Sequence, residues 1–129
     1  MSKTNSYIIK NGNSLDTIAS GVSAFLQTSH NMETQVLSSN NGDMVVQGRV
    51  VGNNWKRFIG MDKAISVKMS EANGILQVEI GEGKWLDKGL IMTISMFVLW
   101  PLAITSGFGF YQQAKIPEKI FDYISNNLL

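Results

Sequence analysis

The chain contains no cysteine, two prolines and one histidine among its 129 residues. The absence of cysteine excludes disulfide bonds, thiolate nucleophiles and metal sites with thiolate ligands. The single histidine, His30, is weak support for a metal ligand or a catalytic base, because both usually need further ligands or carboxylates close by. We therefore expect no metal, no cofactor and a non-enzymatic role.

Charged residues are also scarce. Asp, Glu, Lys and Arg make up 16% of the chain, whereas roughly 25% is usual for a soluble domain. The formal net charge of +1 is too small to attract nucleic acid over a distance. The one basic and aromatic cluster consists of residues 55–58 (WKRF) with Arg49 and Lys63 nearby, and it is short. We expect no nucleic-acid partner.

The shortage of charge is concentrated in one stretch of the sequence. The 26 residues between Lys88 and Lys115 include no Asp, Glu, Lys, Arg or His. Their apolar part, residues 89–110, is called the apolar segment below; as a helix it is long enough to cross a bilayer, which takes about 20 residues. Pro101 interrupts it near the middle. The pattern predicts a long apolar helix, kinked at Pro101, that inserts in lipid or packs in an oligomer.

The residues expected to contact lipid or another subunit are the large side chains of the apolar segment and the proline within it. They are Leu90, Ile91, Ile94, Phe97, Val98, Trp100, Pro101, Ile104, Phe108 and Phe110. Aromatic and basic residues near the ends of a membrane segment are typical of the lipid interface. The candidate interfacial anchors are therefore Trp85, Lys88, Tyr111 and Lys115.

Two amphipathic helices are predicted outside the apolar segment. Residues 1–13 are expected to form a flexible arm, followed by a single α+β domain over residues 14–129. The first helix is capped by Asn13 or Ser14, runs to about Ser29 and has apolar side chains at helical spacing: Leu15, Ile18, Ala19, Val22, Phe25 and Leu26. A short final helix begins near Pro117, and its apolar stripe is Ile116, Ile120, Phe121 and Ile124.

Two Asn-Gly pairs organise the middle of the chain into hairpins. A type I′ turn at residues 73–74 places two apolar pairs on one face, Met69 with Val78 and Val67 with Ile80, and two polar pairs on the other, Lys68 with Glu79 and Ser70 with Gln77. A similar turn at residues 41–42 would pair Leu37 with Val46. The sequence therefore predicts a four-stranded antiparallel sheet of two hairpins within an α+β fold.

Three functions fit this layout. One sheet face cannot easily shield three apolar helices, so an additional partner is expected. The first possibility is a membrane-associated, self-associating protein. The second is a soluble oligomeric binding or scaffold protein with the apolar segment buried at an interface, and the third is a carrier of a small apolar ligand. The N-terminus lacks the apolar region of a signal peptide, so we expect the cytoplasm or the cytoplasmic face of a membrane.

Overall fold

A computed structural model describes residues 3–39, 42–50, 63–85 and 115–129 of the chain. These residues form one sheet of five strands and two helices. The strands are β1 (Lys3–Ile8), β2 (Met32–Ser38), β3 (Met44–Val50), β4 (Lys63–Ala72) and β5 (Ile75–Lys84). The helices are α1 (Leu15–His30) and α2 (Ile116–Tyr123), and a π-helical turn (Ile124–Leu128) continues α2.

The sheet is antiparallel throughout, with the strand order β1-β5-β4-β3-β2. Strands β2 to β5 form a meander, and α1 carries the chain from β1 at one edge to β2 at the other. The prediction of four strands was wrong, because β1 lies in the segment expected to be a flexible arm. A short strand of mostly polar residues has little hydrophobic pattern, and its pairing with β5 determines its conformation.

The hairpin of β4 and β5 is confirmed in its register. Lys68 pairs with Glu79, and Met69 pairs with Val78. The turn residues Asn73 and Gly74 have φ angles of 55° and 79°, as a type I′ turn requires. Gly74 has no Cβ and therefore adopts this backbone conformation without steric cost.

The other predicted pairing, in the hairpin of β2 and β3, was wrong by one residue. Leu37 pairs with Val45, and Val46 pairs with Val36. The connection is longer than a two-residue turn, since Ser39 donates its backbone N–H to the carbonyl of Asp43. A shift of one residue exchanges the faces of a strand. It places Val46 on the side of the sheet where α1 packs and Val45 on the opposite side.

The main core lies between α1 and one side of the sheet, which we call the helix face. Four side chains of α1 are buried there: Ile18, Ala19, Val22 and Leu26. Their partners on the sheet include Val46, Ile65, Val67, Val78 and Ile80, all with 1% exposure or less. Gly48 allows a close approach, since a Cβ at this position would lie 3.1 Å from a methyl group of Leu26. The predicted apolar face of the first helix is confirmed.

The final helix packs on the same core and brings the chain back to its beginning. The predicted stripe of Ile116, Ile120, Phe121 and Ile124 is buried. The backbone N–H of Lys10 also donates to the carbonyl of Leu129 at 3.0 Å. The C-terminal residues thus contact both α1 and the segment that follows β1.

The elements formed by residues 3–39, 42–50, 63–85 and 115–129 do not include the long apolar helix expected from the sequence. Within the part of the chain that the structure describes, no helix has the length and apolar composition needed to cross a bilayer. The expectation of a hydrophobic membrane helix is therefore wrong for the described residues. The apolar segment itself lies outside the described residues. A stretch without charge is suited to burial in protein as well as in lipid, so the sequence pattern does not distinguish a protein environment from a lipid environment.

Candidate functional site

The side of the sheet opposite α1, which we call the second face, contains a row of polar side chains across three strands. Gln35 Nε2 donates to Gln47 Oε1 at 2.8 Å, and Gln47 Nε2 donates to Ser66 Oγ at 3.0 Å. These three residues face one another in the strand register and are buried. We call them the polar row. Each member satisfies part of its neighbour's hydrogen-bonding capacity, which lowers the cost of burying amides.

A charged and aromatic cluster adjoins the polar row on the same face. Arg49 Nε lies 2.9 Å from Glu33 Oε1, and the Arg49 guanidinium carbon lies 4.0 Å from the centre of the Trp85 ring. Arg49 therefore combines an ion pair with a cation–π contact. Ala64, a small and fully buried residue, lies on the intervening strand β4.

The second face differs between its two ends. Val45, Ala64 and Ser66 have no exposed surface at the end near Trp85. At the turn end of β4 and β5, by contrast, Ile75 is 50% exposed and its cross-strand neighbour Ile8 is 70% exposed. The end of this face near Trp85 is therefore buried, and the turn end contains an exposed pair of isoleucines.

Strand β1 forms an edge of the sheet next to this pair. Among the described residues, it is hydrogen-bonded to one strand, β5. Residues 4–9 (TNSYII) contain no charged side chain. Edge strands of natural proteins usually have charges, prolines or bulges that discourage pairing with another chain. This edge, together with Ile8 and Ile75, is the surface we call the β1 edge.

The opposite edge, formed by β2, has a different composition. It contains Glu33, whose side chain is 45% exposed and paired with Arg49. Val36 is 36% exposed and lies on the helix face. Thr34 Oγ1 also accepts a hydrogen bond of 2.7 Å from Gln27 Nε2 of α1. The charged Glu33 makes this edge less suited to pairing with a second strand.

His30, the histidine weighed above as a ligand or base, lies in an aromatic cluster. Its ring contacts Phe25 edge to face at 5.2 Å, and Phe25 stacks on Tyr123 at 4.3 Å. Its Nε2 atom is buried and has no hydrogen-bond partner among the residues that the structure describes. Burial, together with the nearby charge of Lys119, lowers the pKa of His30 below its usual 6.5. Within the described residues, His30 lies where α1 contacts α2.

Two of the site residues expected from the sequence lie within the described ranges. Trp85 follows β5 and contacts Arg49, and Lys115 precedes α2 with a φ angle of 55°. The other two candidate anchors and all ten expected contact residues of the apolar segment lie outside those ranges. Over residues 3–39, 42–50, 63–85 and 115–129, no three His, Asp or Glu residues group in a way suited to a metal ion.

Sequence reasoning missed both the polar row and the β1 edge. The polar row depends on the strand register, because Gln35 and Gln47 meet Ser66 after two separate pairings. The β1 edge did have a signal in the sequence, namely that residues 4–9 contain no charged side chain. Residues 1–13 were instead expected to form a flexible arm.

Comparison of the chain with known protein families, with curated proteins and with solved structures found no match. A functional assignment therefore depends on the surfaces described above.

Proposed function

We propose that this protein is a self-associating scaffold or binding protein, in which two copies pair through their β1 edges. The observation that carries the proposal is the edge strand β1, which has no charge after Lys3, with the exposed pair Ile8 and Ile75 on it and beside it. The oligomeric alternative predicted from the sequence placed the interface at the apolar segment, whereas the interface proposed now is the β1 edge.

Antiparallel pairing of two edge strands is self-complementary. A twofold axis places the same strand of each copy side by side, so each copy supplies both the donors and the acceptors of the new hydrogen bonds. No charged side chain between Lys3 and Lys10 has to lose water when the strands meet. The result is a continuous ten-stranded sheet made from two five-stranded sheets.

The exposed isoleucines add an apolar contribution to this pairing. Ile8 and Ile75 lie next to each other on the second face, one on the edge strand and one on its neighbour. They are two of the three large apolar side chains that are exposed in the described residues, the third being Val36. A second copy at the β1 edge would remove part of their surface from water, at about 25 cal/mol per Å².

The test is the oligomeric state of the full chain with Ile8→Lys. Light scattering coupled to size-exclusion chromatography should show a dimer or larger assembly for the wild type and a monomer for the variant. A lysine on an edge strand opposes pairing because its ammonium would lose water at the interface. Circular dichroism establishes that the variant keeps its fold.

Val36→Lys is the matched control, because it adds the same charge to an exposed apolar position on the opposite edge strand. It should leave the assembly unchanged. A monomeric wild type at high protein concentration would disprove the proposal. Equal dissociation by both variants would also disprove it, since the effect would then not depend on the β1 edge.

A further inference from the structure

The backbone of β1 has one row of hydrogen-bonding groups that faces β5 and a second row that faces outward. The N–H of Ile9 donates to the carbonyl of Gly74 at 2.9 Å, directly after the pairing of Ile8 with Ile75. Because the hydrogen-bonding direction alternates from one residue to the next along an antiparallel strand, the odd-numbered residues of β1 face β5. The outward row therefore consists of the N–H and C=O groups of residues 4, 6 and 8.

Leu129 limits the outward row at its C-terminal end. The N–H of Lys10 would be the next outward donor, and it is already bonded to the carbonyl of Leu129 at 3.0 Å. The same carbonyl accepts the N–H of Asn11 at 2.8 Å. A second strand that pairs with β1 therefore has the three residues of the outward row to bind, and its pairing stops before Lys10.

One antiparallel register of two β1 strands uses the whole outward row. Two opposed residues exchange a pair of hydrogen bonds only if the backbone groups of both point toward the partner strand. When Ser6 faces Ser6 of the second copy, Thr4 of each copy faces Ile8 of the other, so every group of the row has a partner.

Other registers leave part of the outward row unpaired. A shift of one residue opposes outward-facing groups to groups that are already bonded to β5. A shift of two residues in one direction moves Ile8 beyond the start of the second β1 strand. In the other direction it places Thr4 opposite Lys10, whose N–H is bonded to Leu129.

The side chains of the outward row are compatible with this register. Thr4, Ser6 and Ile8 are all exposed and share the second face of the sheet, since alternate residues of a strand point to the same side. The two Ser6 hydroxyls would meet at the axis, where they can hydrogen-bond, and the methyl group of Thr4 would lie against Ile8 of the second copy. Ile75 lies beside Ile8, so the same contact shields part of its surface.

We propose that two copies of this chain pair in the antiparallel register centred on Ser6, with the twofold axis at this residue. The register rests on the self-association proposed above and specifies which residues of the two copies face each other. One twofold contact uses the outward rows of both copies, so pairing at the β1 edge ends at a dimer.

Disulfide formation tests the register, because the chain has no cysteine of its own. Opposed Cα atoms of a hydrogen-bonded antiparallel pair lie about 5.5 Å apart, a separation that a disulfide spans. Ser6→Cys in the full chain should therefore form a covalent dimer under mild oxidation. Thr4→Cys and Ile8→Cys are the matched controls on the same strand and face. Each would lie about 14 Å from its own counterpart, so each alone should link at least about tenfold more slowly.

A mixture of Thr4→Cys chains with Ile8→Cys chains gives a second measurement that leaves Ser6 unchanged. Their thiols face each other in mixed dimers, so the mixture should link about tenfold faster than either variant alone. Mass spectrometry of the linked peptides identifies the two positions. Ser20→Cys, at an exposed position of α1, measures the rate of linking by random collision.

Light scattering of the wild type separates a wrong register from a wrong association. If the wild type is a dimer and Ser6→Cys links no faster than Ser20→Cys, the register is overturned and the self-association is kept. Preferential linking of Thr4→Cys or Ile8→Cys to its own counterpart, or absence of the mixed link, would likewise overturn the register. A wild type that stays monomeric at high concentration would overturn both proposals.

Discussion

Gln47 shows how one side chain links three strands. Its amide accepts a hydrogen bond from Gln35 and donates one to Ser66, and its side chain has no exposed surface. An amide in this position is stable because both of its ends are paired, whereas loss of one member removes a hydrogen bond from each buried neighbour. The polar row therefore contributes both stability and a fixed register for β2, β3 and β4.

Gln47→Leu should lower the free energy of unfolding by about 1–3 kcal/mol. The leucine keeps most of the volume but leaves the amide of Gln35 and the hydroxyl of Ser66 without this partner. Equilibrium denaturation in urea measures the effect. Gln77→Leu, on an exposed part of the same face, is the control and should change stability by no more than about 0.5 kcal/mol. Equal effects of the two substitutions would show that the polar row is not a stabilising network.

At the scale of the element, α1 illustrates which parts of a helix a sequence specifies. Ser14 Oγ accepts the backbone N–H of Thr17 at 3.2 Å, and at the other end Asn31 has a left-handed φ angle of 57°. The two caps enclose the apolar stripe predicted from spacing. The caps and the stripe depend on residues close together in the chain, so the helix can be predicted from the sequence without knowledge of its packing. The strand β1 has no such signal and forms only because β5 offers a partner.

Ser14→Ala should destabilise the protein by about 1 kcal/mol, because it removes the side-chain acceptor for a backbone N–H at the start of α1. Thermal unfolding followed by circular dichroism at 222 nm measures the loss. Ser20→Ala, at an exposed position inside the same helix, is the control and should be neutral or slightly stabilising, since alanine has the highest helix propensity. A loss of stability with Ser20→Ala as large as with Ser14→Ala would argue against a capping role.

At the scale of the whole molecule, α2 and the residues after it connect the end of the chain to α1 and to the segment after β1. His30 lies at this connection, close to Phe25 on its own helix and to Lys119 of α2, and Phe25 in turn stacks on Tyr123 of α2. Burial of its ring favours the neutral form, and the charge of Lys119 acts in the same direction. Docking of α2 on α1 is therefore linked to the protonation of one histidine.

Because the pKa of His30 is lower in the folded than in the unfolded chain, the unfolded chain binds the additional proton more readily. The contribution of neutral His30 to stability is complete above about pH 6.5 and decreases as the pH falls below that value. Urea denaturation between pH 7.5 and 5 should therefore show a smaller loss of stability for His30→Phe than for the wild type. Parallel losses in the two proteins would show that His30 is not linked to folding.

Part of this fold follows from the sequence alone. The turn at Asn73 and Gly74, the register of β4 with β5, the cap at Ser14 and the apolar stripes of both helices are set by residues close together in the chain. Their physical causes are backbone sterics, side-chain periodicity and local hydrogen bonds, which act without knowledge of distant partners. The lack of charge from residue 89 to 114 likewise predicts that this stretch is removed from water.

Only the tertiary structure decided the rest. The fifth strand, the shift between Leu37 and Val45, the polar row of Gln35, Gln47 and Ser66, and the division of the second face into a buried and an exposed end all depend on pairing between distant residues. A polar strand is stable only beside a partner, and a buried amide only beside another polar group. For the same reason, the sequence predicts that the apolar segment needs a partner, whereas the buried polar row could be found only after the strands were paired.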